Sequence, residues 1–214
     1  MLFRLPPEAL VLLIPTLMFA LSFHEFAHAW MAAKCGDTTA ARMGRLSLNP
    51  MAHLDMMGSL MILFVGFGWA KPVPVDTRFL KNPRTDMMKV AAAGPAANLI
   101  LALIGGLILR FLNGTGLLTE SIFVLLLYFT RINIALAVFN MIPVAPLDGS
   151  NIFRLAHENK SEIGLENSIL RTAGFIWSHT IWIYYRILYY LVGYGTVCKF
   201  FYDDFFRNIN LADE

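Results

Sequence analysis

Three long apolar stretches restrict this chain to the architecture of a multi-pass membrane protein. A helix crosses a bilayer with about 20 apolar residues, and the sequence offers candidates at about 9–33, at about 90–109 and from about residue 120 towards residue 148. The composition agrees, because 57% of the 214 residues are hydrophobic and only 15% are charged, against about 25% charged in soluble domains. The sequence therefore predicts an all-α polytopic membrane protein with a core of three transmembrane helices.

A short apolar segment lies between the first two candidate spans. Residues 58–70, GSLMILFVGFGWA, are too few to cross the membrane, and their glycines and β-branched residues disfavour a helix. We expect a re-entrant hairpin or a short sheet at the membrane surface. An edge strand near residues 66–69 could bind an unwound substrate by strand addition, and a structural hairpin without substrate contact is the alternative.

An aromatic-rich segment at about 168–205 predicts one or more C-terminal helices. Arg186 interrupts it, so both a span and an interfacial helix remain open. We expect one membrane-embedded domain over residues 1–214, with its core at about 9–155.

Positive charges predict the orientation of the chain in the membrane. Only Arg110 lies between the second and third spans, whereas the stretch 34–89 is rich in lysine and arginine (Lys34, Arg42, Arg45, Lys71, Arg78, Lys81, Arg84 and Lys89). By the positive-inside rule this stretch is cytoplasmic and the N-terminus lies outside. The net charge of +2 gives no reason to expect nucleic acid as a partner.

Two histidines and a glutamate lie inside the first apolar stretch, in SFHEFAHAW at 22–30. His24 and His28 are four residues apart, so on a helix both imidazoles lie on one face and can reach a single zinc ion. Glu25 is then free to act as a base towards water. The alternative, buried histidines bonded to backbone carbonyls, is less favoured, because three polar groups in one turn of a membrane helix are costly without a function.

A catalytic zinc site takes three protein ligands and keeps one position open. The other carboxylates lie in polar stretches or near the outer ends of spans, which leaves Asp148 as the third ligand. His28 precedes Lys34 by six residues, and Asp148 precedes Arg154 by six, so both would lie about 9 Å from an inner helix end. This estimate takes Arg154 as the inner end of the third span. Arg131 lies 23 residues earlier, and about 34 Å of helix between the two arginines would match one bilayer core.

The sequence NMIPVAPLDG at 140–149 cannot form a regular helix. Pro143 and Pro146 each remove a backbone donor and clash with the preceding turn. We expect the helix to stop after Asn140 and to restart near Asp148. Unwound backbone at membrane depth is tolerated where it lines a cavity, so the sequence predicts a water-accessible cavity beside Asp148.

HEFAH, GPAAN at 94–98 and NMIPVAPLDG, in this order, resemble the site-2 protease family of intramembrane zinc metalloproteases. GRLSLNPMAHLDMMGSL and GWAKPVPV resemble its compact bacterial and archaeal members, without PDZ or CBS domains, and the resemblance covers about residues 20–155. It implies that His24, His28 and Asp148 bind one zinc ion per chain and that Glu25 is the catalytic base.

Two asparagines in these motifs have more than one interpretation. Asn140 corresponds to the asparagine of the family pattern N-x-x-P-x-x-x-x-D-G and could donate to the oxyanion, and a helix-end hydrogen bond is the alternative. Asn98 is expected to tie helices together rather than to act in catalysis.

The resemblance implies hydrolysis of peptide bonds within or near transmembrane segments of substrate proteins, which is regulated intramembrane proteolysis, in a prokaryotic plasma membrane. The expected partners are a transmembrane protein substrate and the lipid bilayer. A transporter or proton-conducting protein is a second hypothesis, which explains intramembrane His, Glu and Asp but not their ligand spacing. A catalytically inactive scaffold is a third, and the intact Glu25 disfavours it.

Overall fold

The computed structural model describes residues 7–65, 69–113 and 115–157, which form six α-helices and contain no β-strand. The helices are α1 (Pro7–Cys35), α2 (Thr39–Arg42), α3 (Met56–Val65), α4 (Pro83–Leu112), α5 (Glu120–Asn140) and α6 (Asp148–His157). Two 3₁₀ turns, Pro50–Ala52 and Thr77–Phe79, lie in the connections. The predicted all-α class is confirmed for these ranges.

Three of the helices are long and apolar enough to cross a bilayer: Leu10–Cys35 within α1, and α4 and α5 over their whole lengths. The predicted three-span core is therefore confirmed. α4 is central, because it packs against α1, α5 and α6. Alanines allow the close approach of α1 to α4, since Ala27 is buried against Ala93 and Ala97.

Helix α4 begins seven residues before the predicted start of the second span. Pro83 occupies the first helical turn, where its missing N–H costs nothing. The Asp86 carboxylate accepts the backbone N–H of Asn82 at 2.8 Å and also pairs with the Lys89 ammonium at 2.7 Å. These polar contacts stabilise an N-terminal part of α4 that lies outside the apolar stretch on which the prediction was based.

The third span begins at Glu120, the earliest predicted residue, but ends before Asp148, to which it was expected to continue. α5 ends at Asn140, so Arg131 lies inside the span and does not mark its start. The span from Arg131 to Arg154 was wrong, because spacing between arginines does not reveal where a helix stops. The break itself is confirmed: regular helix ends at Asn140 and resumes at Asp148, around the two prolines.

The segment 58–70 is also different from the expected short sheet. Its first part belongs to α3, which satisfies its own backbone groups and so needs no partner strand. The chain then turns back, since Leu54 forms an isolated antiparallel bridge with Ala70. Gly58 permits this return, because a Cβ there would collide with the Trp69 carbonyl. Residues 66–68, where an edge strand was expected, lie outside the described ranges.

Buried charged side chains hold the polar connections together. Arg45 is 5% exposed, and its guanidinium donates to the carbonyls of Ala52, Lys71 and Pro72, on both sides of the α3 segment. The backbone N–H of Lys71 in turn donates to the His53 carbonyl at 2.8 Å. Arg45 therefore closes the base of the loop that carries α3.

The predicted C-terminal helical segment at about 168–205, with Arg186, lies outside the described residues. Both ends of the single domain expected over 1–214 also lie outside the described residues.

Replacing Arg45 tests this closure. Arg45→Met removes the hydrogen bonds of a charged donor, each of which contributes about 1.5–3 kcal/mol. We expect the Lys71 amide to exchange with deuterium at least about tenfold faster, as measured by mass spectrometry on the detergent-solubilised protein. Arg42→Met, which removes an exposed guanidinium from the same connection, should leave the exchange unchanged. Equal rates in both variants would contradict the role of Arg45.

Candidate metal centre

Side chains from two separate helices meet at one point between α1 and α4. His24 and His28 lie one turn apart on α1, and Asp148 is the first residue of α6. The Nε2 atoms of the histidines are 3.0 Å apart. Asp148 Oδ2 lies 3.1 Å from Nε2 of His24 and 3.2 Å from Nε2 of His28. The structure thus brings together all three residues that the sequence predicted as ligands.

Each imidazole is oriented by a hydrogen bond from its other nitrogen. His28 Nδ1 donates to the Val90 carbonyl at 2.7 Å, and His24 Nδ1 donates to Asn98 Oδ1 at 2.5 Å. A carbonyl oxygen can only accept, so the proton of each neutral ring lies on Nδ1. In its neutral form each ring therefore turns the lone pair of Nε2 towards Asp148, as a metal ligand must.

Three acceptor atoms without protons repel one another unless a cation lies among them. Two imidazole nitrogens and one carboxylate oxygen are common zinc ligands, and the bond lengths of about 2.0–2.2 Å imply separations of about 3.3 Å around a tetrahedral ion. The observed separations of 3.0–3.2 Å are close to this value. The group His24, His28 and Asp148 fits a zinc ion and leaves a fourth position for water or substrate.

Burial of the three residues suits a protected but accessible site. His24 and His28 are 4% and 6% exposed, whereas one fifth of the Asp148 side-chain surface remains accessible. The opening is therefore on the side of Asp148, next to the irregular segment between α5 and α6.

Gly94 makes room for the centre on the facing helix. A Cβ at this position would lie 2.6 Å from His24 Nε2 and still closer to His28 Nε2. Only glycine lets the α4 backbone come this near to both rings. Val90, Gly94 and Asn98 are spaced by four residues, so one stripe of α4 supplies the hydrogen bonds for both rings and the space beside them.

The other two predicted site residues, Glu25 and Asn140, lie outside the group of three converging side chains. Glu25 follows His24 on α1 and is half-buried. Asn140 is the last residue of α5, and its side-chain amide donates to the Leu136 carbonyl at 3.0 Å. This is the helix-end hydrogen bond that was the alternative to an oxyanion contact. Neither residue belongs to the group of converging acceptors.

Sequence reasoning missed part of this site. It assigned Asn98 to helix packing, and Asn98 does bond Asn133 of α5, but it also accepts the hydrogen bond of His24. It did not identify Asn133 or the role of the Gly94 position. The spacing of four residues between Gly94 and Asn98, together with the cost of an asparagine inside a span, was the available signal.

Comparison with known proteins agrees with this geometry. The family model of peptidase family M50 matches residues 12–124 and 116–178, which include all three converging residues. "Putative zinc metalloprotease YwhC" of Bacillus subtilis is 43% identical over 152 residues, covering 69% of this chain and 69% of that protein. "Putative zinc metalloprotease Rip2" of Mycobacterium tuberculosis is 32% identical over 149 residues, covering 65% of this chain and 54% of that protein. No solved structure matches the chain.

The fold and the site define a multi-pass membrane protein with a candidate zinc centre between its helices. With the matches above, the chain belongs to peptidase family M50, the site-2 proteases, and is a zinc-dependent protease of that type.

Replacing Gly94 tests the space beside the histidines. In Gly94→Ala the new methyl group would lie against both Nε2 atoms, so we expect the zinc content of the purified protein to fall roughly tenfold or more. Metal analysis after purification without chelators measures this. Gly105→Ala is the control, because its methyl group would press on Thr130 and Phe129 further along α4, away from the histidines. A normal zinc content in Gly94→Ala would contradict the placement of the ion.

Proposed function

We propose that this protein is an intramembrane zinc protease that hydrolyses peptide bonds within or near transmembrane segments of other membrane proteins. One zinc ion per chain is bound by His24, His28 and Asp148. The single observation that carries the proposal is the convergence, at 3.0–3.2 Å, of two imidazole nitrogens inside a candidate membrane span with one carboxylate oxygen of Asp148.

The depth of the site supports an intramembrane substrate. His24 lies 11 residues before Cys35, the C-terminal end of the α1 span, which corresponds to about 16 Å of helix and thus to the middle of a bilayer core. Asp148 reaches this level because the chain between α5 and α6 is irregular. A site at this depth selects a substrate that is itself in the membrane.

The chemistry follows from the groups around the centre. A zinc ion held by His24, His28 and Asp148 would lower the pKa of water and polarise a peptide carbonyl. Glu25 accepts the proton of the attacking water and delivers it to the leaving amine. Its place next to His24 on α1 brings it near the centre without making it a ligand. Asn140 remains a secondary candidate for binding the oxyanion, and this role would require its side chain to leave Leu136.

The substrate is a transmembrane segment that must unwind locally, because the backbone groups of an intact helix are bonded to each other. The helical segment α3 and the exposed Trp69 lie in the connection between α1 and α4. The site-2 resemblance supports regulated intramembrane proteolysis as the biological setting.

Removal of the proposed ligands and of the base should have separable effects. We expect about one zinc ion per wild-type chain and almost none in His24→Ala or Asp148→Ala, since each loses one of three ligands. Glu25→Gln should keep its zinc and lose roughly 10²–10⁴-fold in cleavage rate, because only the proton acceptor is removed. Comparison of membrane proteomes from cells with wild type and with Glu25→Gln measures cleavage and identifies transmembrane fragments that remain uncut.

His53 provides the control for these variants. It is a buried histidine that bonds the Ser47 carbonyl outside the spans, so His53→Gln should retain both zinc and cleavage. A wild-type protein that contains no zinc after chelator-free purification would refute the proposal. Unimpaired cleavage by Glu25→Gln would refute the assignment of the base.

We also propose that the N-terminus lies outside and that the stretch 34–89 is cytoplasmic. Single introduced cysteines test this orientation. Cys198 is first replaced by serine so that it cannot react, and the other native cysteine, Cys35, can stay because it is buried. Met51→Cys and Leu117→Cys occupy positions that are 73% and 66% exposed. An impermeant maleimide should label Leu117→Cys on intact cells and Met51→Cys only after permeabilisation. The reverse pattern would overturn the orientation.

A further inference from the structure

Two buried asparagines connect the metal centre to a helix that contributes none of its ligands. Asn98 of α4 and Asn133 of α5 are both 0% exposed. Asn98 Nδ2 donates to Asn133 Oδ1 at 2.8 Å, and Asn133 Nδ2 donates to the Phe129 carbonyl at 2.8 Å. Together with the bond from His24 Nδ1 to Asn98 Oδ1, these contacts form a chain that we call the amide relay.

The direction of the amide relay is fixed at its far end. The Phe129 carbonyl can only accept, so Asn133 must turn its amino group towards Phe129 and its oxygen towards Asn98. Asn98 must then donate to Asn133, and its own oxygen faces His24. The Ala20 carbonyl, 3.5 Å from Asn98 Nδ2, favours the same orientation. Reversing either amide would place two oxygens against each other.

We propose that Asn98 and Asn133 are positioning residues for the zinc centre, which rests on the function proposed above. The amide relay keeps the proton of His24 on Nδ1, so that Nε2 faces the ion as a lone pair. It also holds the plane of the ring, because a hydrogen bond at Nδ1 fixes the rotation of the imidazole. α5 thereby orients a ligand that belongs to α1.

His28 needs no such relay, because its partner is a backbone carbonyl. The two ligands of α1 therefore differ: Val90 orients His28 through the fold of α4 alone, and side chains orient His24 through the packing of α5 on α4. Substitution of side chains can consequently weaken one ligand and leave the other intact.

The test measures metal binding rather than proteolysis. Zinc affinity of the full-length protein in detergent is determined by competition with a chromophoric chelator, and the Co²⁺-substituted protein reports ligand geometry through its visible absorption. Asn98→Leu removes the acceptor of His24, so we expect zinc affinity to fall about 10–100-fold and the Co²⁺ spectrum to change. Asn98→Asp retains an acceptor oxygen for His24 but loses the donor to Asn133, so we expect its affinity to lie between those of Asn98→Leu and the wild type.

Asn133→Leu is the more selective variant, because Asn133 reaches His24 only through its hydrogen bond with Asn98. We expect a smaller loss of zinc affinity than in Asn98→Leu, with a change in the Co²⁺ spectrum in the same direction. Thr130→Val is the matched control: Thr130 is 1% exposed on the same helix and faces Gly105 of α4. Its affinity and spectrum should equal those of the wild type.

The outcomes separate this inference from the proposed function. A wild type that binds no zinc overturns the proposed function. A wild type that binds zinc while Asn98→Leu and Asn133→Leu bind it equally well overturns the amide relay alone. An Asn98→Asp affinity as low as that of Asn98→Leu also overturns it, because the acceptor would then be irrelevant. If Asn98→Leu does not fold, the comparison of Asn133→Leu with Thr130→Val decides.

Discussion

The packing of α1, α4 and α6 brings three potential metal-binding atoms so close together that they repel one another unless a cation or a proton lies between them. Nε2 of His24, Nε2 of His28 and a carboxylate oxygen of Asp148 lie 3.0–3.2 Å apart, and hydrogen bonds at Nδ1 leave the Nε2 lone pair of each neutral ring facing the other two atoms. Such a cluster is unfavourable in a low-dielectric interior unless a cation neutralises it. A divalent ion held by His24, His28 and Asp148 would be coordinated by the same three atoms, and metal binding would then be linked to the packing of α1, α4 and α6.

Helix α4 is the element that makes this arrangement possible, although it contributes no ligand. Its Val90 carbonyl and its Asn98 side chain each accept a hydrogen bond from one histidine, and Gly94 between them leaves the space that the rings require. Buried alanines bring the helix close to α1 over the same stretch. In a membrane, where apolar side chains gain little by leaving lipid, small residues and interhelical hydrogen bonds carry much of the packing.

The sequence predicted the site better than the elements around it. The spacing of His24 and His28, the prolines after Asn140 and the depth argument were enough to select Asp148, even though the Arg131–Arg154 span was wrong. The error had little effect, because the prolines fix the helix break and the arginines do not. The short sheet expected at 58–70 was wrong over residues 58–65 for a different reason. Composition disfavours a helix there only weakly, and a helix satisfies its backbone groups without a partner segment in an apolar environment.

The sequence by itself determined the class of the chain, its three spans and the chemical types of its candidate ligands, because hydropathy and short-range spacing are local properties of the chain. Only the tertiary structure decided which nitrogen of each histidine faces the centre, why position 94 must be glycine, and that Asn98 and Asn133 link α5 to His24. These facts depend on distances between residues up to 124 positions apart. Such distances are set by how the helices pack, which no local pattern encodes.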